Sequence, residues 1–427
     1  MRFNTKTEAF TRFWNTTAHP HMLPCNNVYT SFERPDGLLW LGFRHGGFVL
    51  FDPKQRRCLQ RYLTGQAIFP VLEDTISHRG KRYLWAGNLG SGLHRFDIAT
   101  KEIKNYAHDA ANPHSFIGRA VFWANFDNQK RLWFGSMNGL SLYRPATDDF
   151  ENFTHEKANP RSLSCNYVEC VVEDSRGRVW IGTEDGLNLF NEQTRNFTSF
   201  GVKDGLPSAV VLGIVEDAHG NLWLSTNEGI SRFNPEQRTF RNYNETDGLH
   251  GQTFNSAGFC KTADGRIWFG GVGGFTGFHP DSLRDNTLPP PVVLTEFRKF
   301  NKPVRLDTSI GFKRLLTLDY TENFITIGFA ALNFTHPEKN KYKYKLEGFD
   351  RDWIDAGAKR EASYTNLDGG DYVFRVIACN NDGVWCSPEE GASIQISVTP
   401  PFWKTRWFAV LAVLGIIGST AGSIVVV

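Results

Sequence analysis

The 427-residue sequence lacks any excess of one charge: 47 Lys and Arg face 45 Asp and Glu, a formal charge of +2. It has no basic run or stripe, so nucleic acid is not an expected partner. Cysteine is sparse and odd in number, seven, and the cysteines form no metal-type cluster. Cys165 and Cys170 lie five apart, without the tight pairing of a zinc site. No HExxH, GxSxG or P-loop occurs, and twelve His are scattered, so no catalytic residue, metal or cofactor is expected. The N-terminus, MRFNTKTEAFTRFW, has no apolar stretch after its basic residue and does not read as a signal peptide. The C-terminus is the reverse case. Residues 407–427 carry no charge, and such a helix would reach roughly 30 Å, enough to cross a bilayer core. Phe402, Trp403 and Trp407 stand where interfacial aromatics belong.

What is present is aromatic and turn-forming. Aromatics make up 14% of the chain, with 35 Phe and 12 Trp, and 40 Gly and 19 Pro are spread along it. This composition predicts an all-β protein of many short strands. Trp40, Trp85, Trp133, Trp180, Trp223 and Trp268 recur every 43 to 48 residues. A Gly stands four residues before an aromatic in every unit: Gly47 and Phe51, Gly92 and Phe96, Gly139 and Tyr143, Gly186 and Phe190, Gly229 and Phe233, Gly274 and Phe278. A Gly also follows the Trp by two residues, with Ser225 replacing it in the fifth unit. The stretch VVEDSRGRVWIGTEDGLNLFNEQTRNFTSF, 171–200, reads as four strands joined by tight turns. Four antiparallel strands in about 45 residues make a propeller blade, whose faces can be buried only against its neighbours. Six four-stranded blades are expected.

Phe3 and Phe13 repeat the spacing of Phe190 and Phe200, so residues 2–13 read as the end of a third strand and a fourth strand. The last unit, 251–280, lacks an obvious fourth strand. Either the N-terminal strand completes it and closes a six-bladed ring, or the ring is a seven-bladed one that has lost a blade upstream.

At Leu288 the repeat stops, and Pro289, Pro290 and Pro291 form a stiff linker. VVLTEFRKF, LLTLDYTENFITIGFAAL, KYKYKLEGF, ASYTNL, DYVFRVIAC and ASIQISV then alternate with period two. About seven strands in roughly 110 residues suggest an immunoglobulin- or fibronectin-like β-sandwich. Cys379 and Cys386 flank Asp382-Gly383, a hairpin signal that would set them opposite each other; a disulfide and two half-buried thiols are both open. Three segments result: a propeller over 1–288, a sandwich over 289–400, and a juxtamembrane segment with a transmembrane helix over 401–427.

YTENFITIGFAALNFTHPEKNKYKYKLEGFDRDWIDAG, ASYTNLDGGDYVFRVIACNNDGVW and PPFWKTRWF resemble the "three Y" (Y_Y_Y) domain, with Tyr344, Tyr364 and Tyr372 most like the tyrosines of its name. The upstream EDxxGxxWIGTxxGLxxF units resemble the two-component regulator propeller repeat. The resemblance implies the sensor ectodomain of a hybrid two-component receptor. Propeller and sandwich would lie in the periplasm, tied through a helix in the bacterial inner membrane to a histidine kinase or diguanylate cyclase. Members commonly sense saccharides and are thought to signal as dimers, so an oligosaccharide, the inner membrane and a second copy are the implied partners. The sequence departs from this pattern in lacking an export signal, some upstream propeller and an output module. Lys404 and Arg406 also precede the helix on the expected outer side, against the positive-inside tendency.

The acidic pairs Glu73-Asp74, Glu173-Asp174 and Glu216-Asp217 hint at a paired-carboxylate glycosidase. Because they repeat at the end of each first strand, they read as turn-stabilising devices instead. DSRGRVW is similar to the Asp-box of sialidases, but no arginine triad accompanies it. Propeller ligands usually meet the face carrying the loops between strands two and three and those between blades. The candidate ligand-binding residues there are Arg44, His45, Asn88, Arg119, Glu184, Asp185, Asn227 and Glu228, with Asn27, Asn166 and Asn255 on linking loops. Trp123 lies outside the repeated Trp position and could stack on a sugar or belong to the core. The expected function is extracytoplasmic, saccharide-directed sensing without enzymatic activity. The alternatives are a membrane-anchored carbohydrate-active propeller enzyme and a protein-binding scaffold.

Overall fold

A computed structural model describes residues 2–4, 7, 9–13, 22–78, 80–404, 407, 408, 410, 411, 413 and 414. The chain divides into two compact units, Met1–Leu283 and Arg284–Val427. In the first, five antiparallel four-stranded sheets span 28–62, 68–106, 121–153, 168–200 and 211–243. These are blades one to five. Each is an open meander, and the first strands pack against one another in sequence around an axis. Among the described residues blade six has three strands, Phe254–Lys261, Ile267–Gly271 and Gly274–Phe278, in keeping with the lack of an obvious fourth strand in 251–280; the chain then turns into a short 3-10 helix at Pro280–Ser282, where Pro280 cannot donate to a ladder. Among the described residues of the N-terminal segment, Arg2–Asn4 and Ala9–Thr11 pair with each other. Phe10 lies against Phe275 of blade six, and Phe13 against Phe51 of blade one.

The repeated residues carry the packing between blades. Trp40, Trp85, Trp133, Trp180 and Trp223 are each 1% exposed. Four of them meet the third-strand aromatic of the next blade: Trp85 with Tyr143 at 4.9 Å between ring centroids, Trp133 with Phe190 at 5.3 Å, Trp180 with Phe233 at 5.7 Å and Trp223 with Phe278 at 4.7 Å. A buried indole N–H without a partner is costly, and the repeated aspartate supplies one. Asp74, Asp127, Asp174 and Asp217 accept from the indole Nε1 of Trp85, Trp133, Trp180 and Trp223 at 2.8–3.1 Å. The other carboxylate oxygen accepts from turn amides, as Asp174 does from Arg176 and Arg178.

The glutamate of each acidic pair reaches the preceding blade. Glu216 accepts from Ser175 N and Oγ at 2.7 and 2.6 Å, and Glu173 accepts from Asn128 N. Blade one has Arg34 where the aspartate should stand, and Trp40 Nε1 donates instead to Glu73 of blade two at 3.3 Å. The acidic pairs are therefore structural, as their repetition suggested.

Glycine is needed where strands three and four meet. A Cβ on Gly186, at φ +104°, would lie 2.4 Å from the Phe200 carbonyl oxygen. It is needed again two residues after the Trp, where a Cβ on Gly182 would lie 2.7 Å from Val211 O in the next blade.

The second unit is a sandwich of nine strands, more than the sequence pattern predicts. One sheet joins Lys302–Pro303, Val292–Lys299, Ile325–Ala331 and Glu361–Tyr364 in that order. The other joins Leu315–Leu318, Ala392–Val398, Gly370–Cys379, Lys341–Glu347 and Ile354–Gly357. LLTLDYTENFITIGFAAL thus breaks at Asp319, whose side chain accepts from Thr321 N and Oγ1, and its two halves enter opposite sheets. Phe297, Ile327, Phe329, Tyr342, Leu346, Phe374 and Ile396 fill the space between them.

Of the three tyrosines, Tyr364 donates to Asp350 at 2.7 Å, and Tyr344 packs its ring against that of Tyr364. Tyr372 donates to Asp368 O at 3.0 Å, four residues upstream, as in a tyrosine corner. The hairpin turn is wider than the Asp-Gly pair implied, with Asn380 N donating to Val384 O. This places Cys379 opposite Trp385, and both thiols are free and buried. Asn380 Nδ2 ties the segment before the prolines by donating to Asn286 O at 2.6 Å and Leu288 O at 2.9 Å.

Among the described residues no helix is long and apolar enough to cross a membrane. Residues 407, 408, 410, 411, 413 and 414 are helical, and most of the expected span lies outside the described residues.

Asp174→Ala should cost about 1–3 kcal/mol in urea unfolding, the penalty for an unsatisfied buried indole donor. It should also alter the acid limb. Burial alone would raise the Asp174 carboxyl, but hydrogen bonds from Trp180 and from the Arg178 amide and guanidinium overcome this and hold it below the ordinary carboxylate range. Its stabilisation is complete above about pH 4, where the unfolded carboxyl is already ionised, and is lost as pH falls through the folded value. The variant should therefore lose less stability than the parent on acidification below pH ~4. Asn380→Ala should cost about 2–3 kcal/mol by the same assay.

Candidate functional site

Every first strand of the propeller breaks register with its neighbour near its beginning. The shifts fall between Val28 and Thr30, Ile68 and Val71, Val121 and Trp123, Val168 and Cys170, Val211 and Gly213, and Phe254 and Phe259. A bulge turns its extra residue out of the ladder. The residues so released are Tyr29, Phe69 with Pro70, Phe122, Glu169, Leu212 and, in the larger bulge of blade six, 255–258.

Their ladder positions are equivalent but their chemistry is not. Tyr29 meets Phe69 edge-on at 5.3 Å, Phe69 meets Phe122 at 6.2 Å, and Phe122 stacks on Tyr167 at 4.8 Å and 18°. An arc of four rings thus runs from blade one to blade four. Tyr29, Phe69, Phe122, Asn255, Ser256 and Gly258 line a cavity of about 500 Å³ at this mouth of the channel. Beneath it Trp123 stacks on Phe259, across the axis in blade six, at 5.0 Å and 18°, while its Nε1 donates to Val171 O at 2.8 Å. Trp123 is therefore half-buried and packs against the cores of blades three to five.

Glu169 is the charged member of the ring of bulges. It is 5% exposed, and its Oε2 has no hydrogen-bond partner among the described residues. Burial raises its carboxyl above the usual carboxylate range. The Ser256 side chain opposes this by hydrogen bonding, and the nearby Glu184 carboxylate adds to it. Burial, with Glu169 and Glu184, likewise raises the Tyr167 phenol.

The loop residues singled out from the sequence sit at the strand-two ends, with Arg119 on the link from blade two to blade three. Arg44, His45, Arg119, Glu184, Asp185, Asn227 and Glu228 are exposed. Asn88 is buried and occupied locally, donating to Gln66 Oε1 at 2.8 Å and accepting from Ser91 N. The backbones of Arg44, Glu184, Asp185 and Glu228 complete their loops through bonds to Asn27 O, Tyr167 O, Thr183 Oγ1 and Thr226 Oγ1. Glu184 is the one of these that acts electrostatically on Tyr167 and Glu169; Asn255 lines the cavity itself. Tyr29, Phe69, Phe122, Tyr167 and Glu169 were missed because a repeat is read by what recurs, and these positions do not recur in kind.

A second polar cluster joins blades two and three. Asp148 accepts from Tyr106 and Tyr143 at 2.6 Å and from Arg95 at 2.8 Å, and it also pairs with Lys104. Burial opposes ionisation of Asp148, but these donors outweigh it and hold the carboxyl far below its ordinary range. Burial raises the phenols of Tyr106 and Tyr143. The cluster acts as an inter-blade tie between two blades whose first-strand contact lacks the reaching glutamate, Phe126 standing in its place. Among the described residues no group of three His, Cys, Asp or Glu is arranged to hold a metal ion.

Comparison with known proteins agrees with both units. The Y_Y_Y domain model matches residues 333–399, and the two component regulator propeller model matches 162–185 and 205–228. The chain is 34% identical over 148 residues to Histidine kinase P4 of Formosa agariphila, a stretch that covers 33% of this chain and 11% of that relative. The fold is similar to the crystal structure of the extracellular domain assigned to the hybrid two component system BT3049 of B. thetaiotaomicron. The TM-score is 0.74 at 24% identity, over 89% of this chain and 51% of the other. The chain thus spans about half of that solved domain and a small part of the kinase. Part of the propeller is therefore similar to the two component regulator propeller repeat and part of the sandwich to the Y_Y_Y domain, and the chain is folded like that extracellular domain.

Proposed function

We propose that this chain is the ligand-sensing portion of a bacterial membrane receptor, held outside the inner membrane in the periplasm and taking a saccharide at the channel mouth of its propeller. The observation that carries this reading is the asymmetric arc of Tyr29, Phe69, Phe122 and Tyr167 on an otherwise repetitive scaffold. A concave site of mainly apolar lining with a few polar groups suits a small ligand, and aromatic faces suit the C–H faces of a sugar ring. The similarity to a histidine kinase supports a kinase as the output. The uncharged stretch 407–427 would serve as the anchor, and half-exposed Phe402 and Trp403 suit the interfacial zone. Signalling would run through a homodimer, and a ligand can drive it only by binding two states of the receptor unequally.

The test is a panel of oligosaccharides added to the purified full chain, read by thermal shift and by product analysis. A bound saccharide at a hundredfold excess over its dissociation constant should stabilise the propeller by ~2.7 kcal/mol, without turnover. Phe122→Ala should abolish the shift. Release of product from the panel would overturn the sensing role in favour of catalysis.

A further inference from the structure

We propose that the ligand of the channel mouth carries an ammonium group, which sits against Glu169 while the apolar body of the ligand lies on the rings of Tyr29, Phe69 and Phe122. This rests on the reading of the channel mouth as the ligand face and adds the charge of what binds there; for a saccharide ligand it means an amino sugar.

The argument starts from the cost of the carboxyl. A buried carboxylate without a counter-charge is expensive, and other buried acids of this propeller are paired or hydrogen-bonded through both oxygens. Asp127 and Asp174 hold Arg131 and Arg178 at 2.6 Å, and Glu73 holds Arg34 and Arg82. Asp74 and Asp217 show no ion pair among the described residues, but both of their oxygens accept from an indole or from turn amides; Glu169 has neither an ion pair nor such a set of donors. Among the described residues no Lys or Arg pairs with it, and the charge that reaches it is the like charge of Glu184. It stands at the bulge position that in blades one and three releases the ring residues Tyr29 and Phe122, and its hydrogen-bonding partner Ser256 belongs to the cavity wall. Its Oε2 is thus a buried acceptor without a partner among the described residues, on a side chain joined to the cavity wall through Ser256.

Packing requires neither the charge nor the missing partner. Leu212 fills the equivalent bulge of blade five at 6% exposure, so an apolar residue is compatible with the ring. A ligand ammonium would supply what the site lacks. It would pair with Glu169 and share the negative field of Glu184, and the ring faces would attract it further through their quadrupoles. A neutral sugar would use the rings but leave the carboxyl unpaired.

The experiment is isothermal titration of the full chain with glucosamine oligomers and with the N-acetylated oligomers of the same length, at a pH where the free amine is protonated. The amine form should bind at least about tenfold more tightly, equivalent to ~1.4 kcal/mol. Glu169→Gln keeps the size of the side chain and removes its charge. It should erase that preference while leaving the weaker affinity for the N-acetylated form in place. Tyr29→Ala should weaken both. Equal affinity for the two forms, a preference that survives in Glu169→Gln, or no binding of the amine at millimolar concentration overturns the ammonium assignment. If the N-acetylated oligomer binds with an affinity that depends on Tyr29 but not on Glu169, the ammonium assignment fails and the ligand face stands. If a sugar binds but Tyr29→Ala and Phe122→Ala leave it unchanged, the ligand face itself is wrong.

Discussion

The hydrogen bond from a buried indole to an aspartate at the end of the blade's first strand answers a problem created by stacking sheets. Tryptophan gives each blade a large apolar surface, but once the next blade covers it, no water reaches the indole N–H. Asp127, Asp174 and Asp217 spend one oxygen on the indole and the other on the turn that follows, so one side chain fixes both the depth of the tryptophan and the shape of the loop. The adjoining arginine of blades three and four closes the arrangement. Arg131 and Arg178 each hold their own aspartate and a glutamate of the next blade, Glu192 or Glu236. Where the aspartate is missing, in blade one, the neighbour's Glu73 takes over the indole.

Much of this was legible in the sequence because it repeats. The tryptophan register, the Gly-to-aromatic spacing and the acidic pairs each recur at fixed offsets, and recurrence in a propeller marks packing. The same logic explains the failures. Tyr29, Phe69, Phe122 and Glu169 occupy one geometric position in four blades with dissimilar residues, so nothing in the pattern draws the eye to them. The bulges that release them are tertiary features: in blades two to five the bulge lies where the first strand passes the glycine of the preceding blade, as Val211 passes Gly182. In the sandwich, alternation located the strands but not their sheets. Asp319 turns one long apolar run into two strands of opposite layers, and no periodicity records such a switch. The wider turn between Asn380 and Val384 moved Cys386 out of register with Cys379 by a single position, enough to separate two thiols that the Asp-Gly pair seemed to align.

The channel mouth brings these observations together. A repetitive scaffold is nearly symmetric, and a binding site must break that symmetry. On the proposed function the break lies at the bulge position, where the residues differ from blade to blade. The blades are held by residues that repeat, and recognition would fall to those that do not. Trp123 and Phe259 stack on each other just below, so the cavity can be altered by substitution at its rim without opening the core.

The glutamates at the ends of the first strands all point the same way round. Glu73, Glu173 and Glu216 each grip the blade before their own, and in blade six Lys261 does the same through Glu216 O at 2.9 Å. The propeller therefore has a sense of rotation written into its grips, like climbers roped in file, each holding the one ahead. The first in the file, Glu33 of blade one, is exposed, and it faces the side where Phe13 of the N-terminal hairpin rests on Phe51.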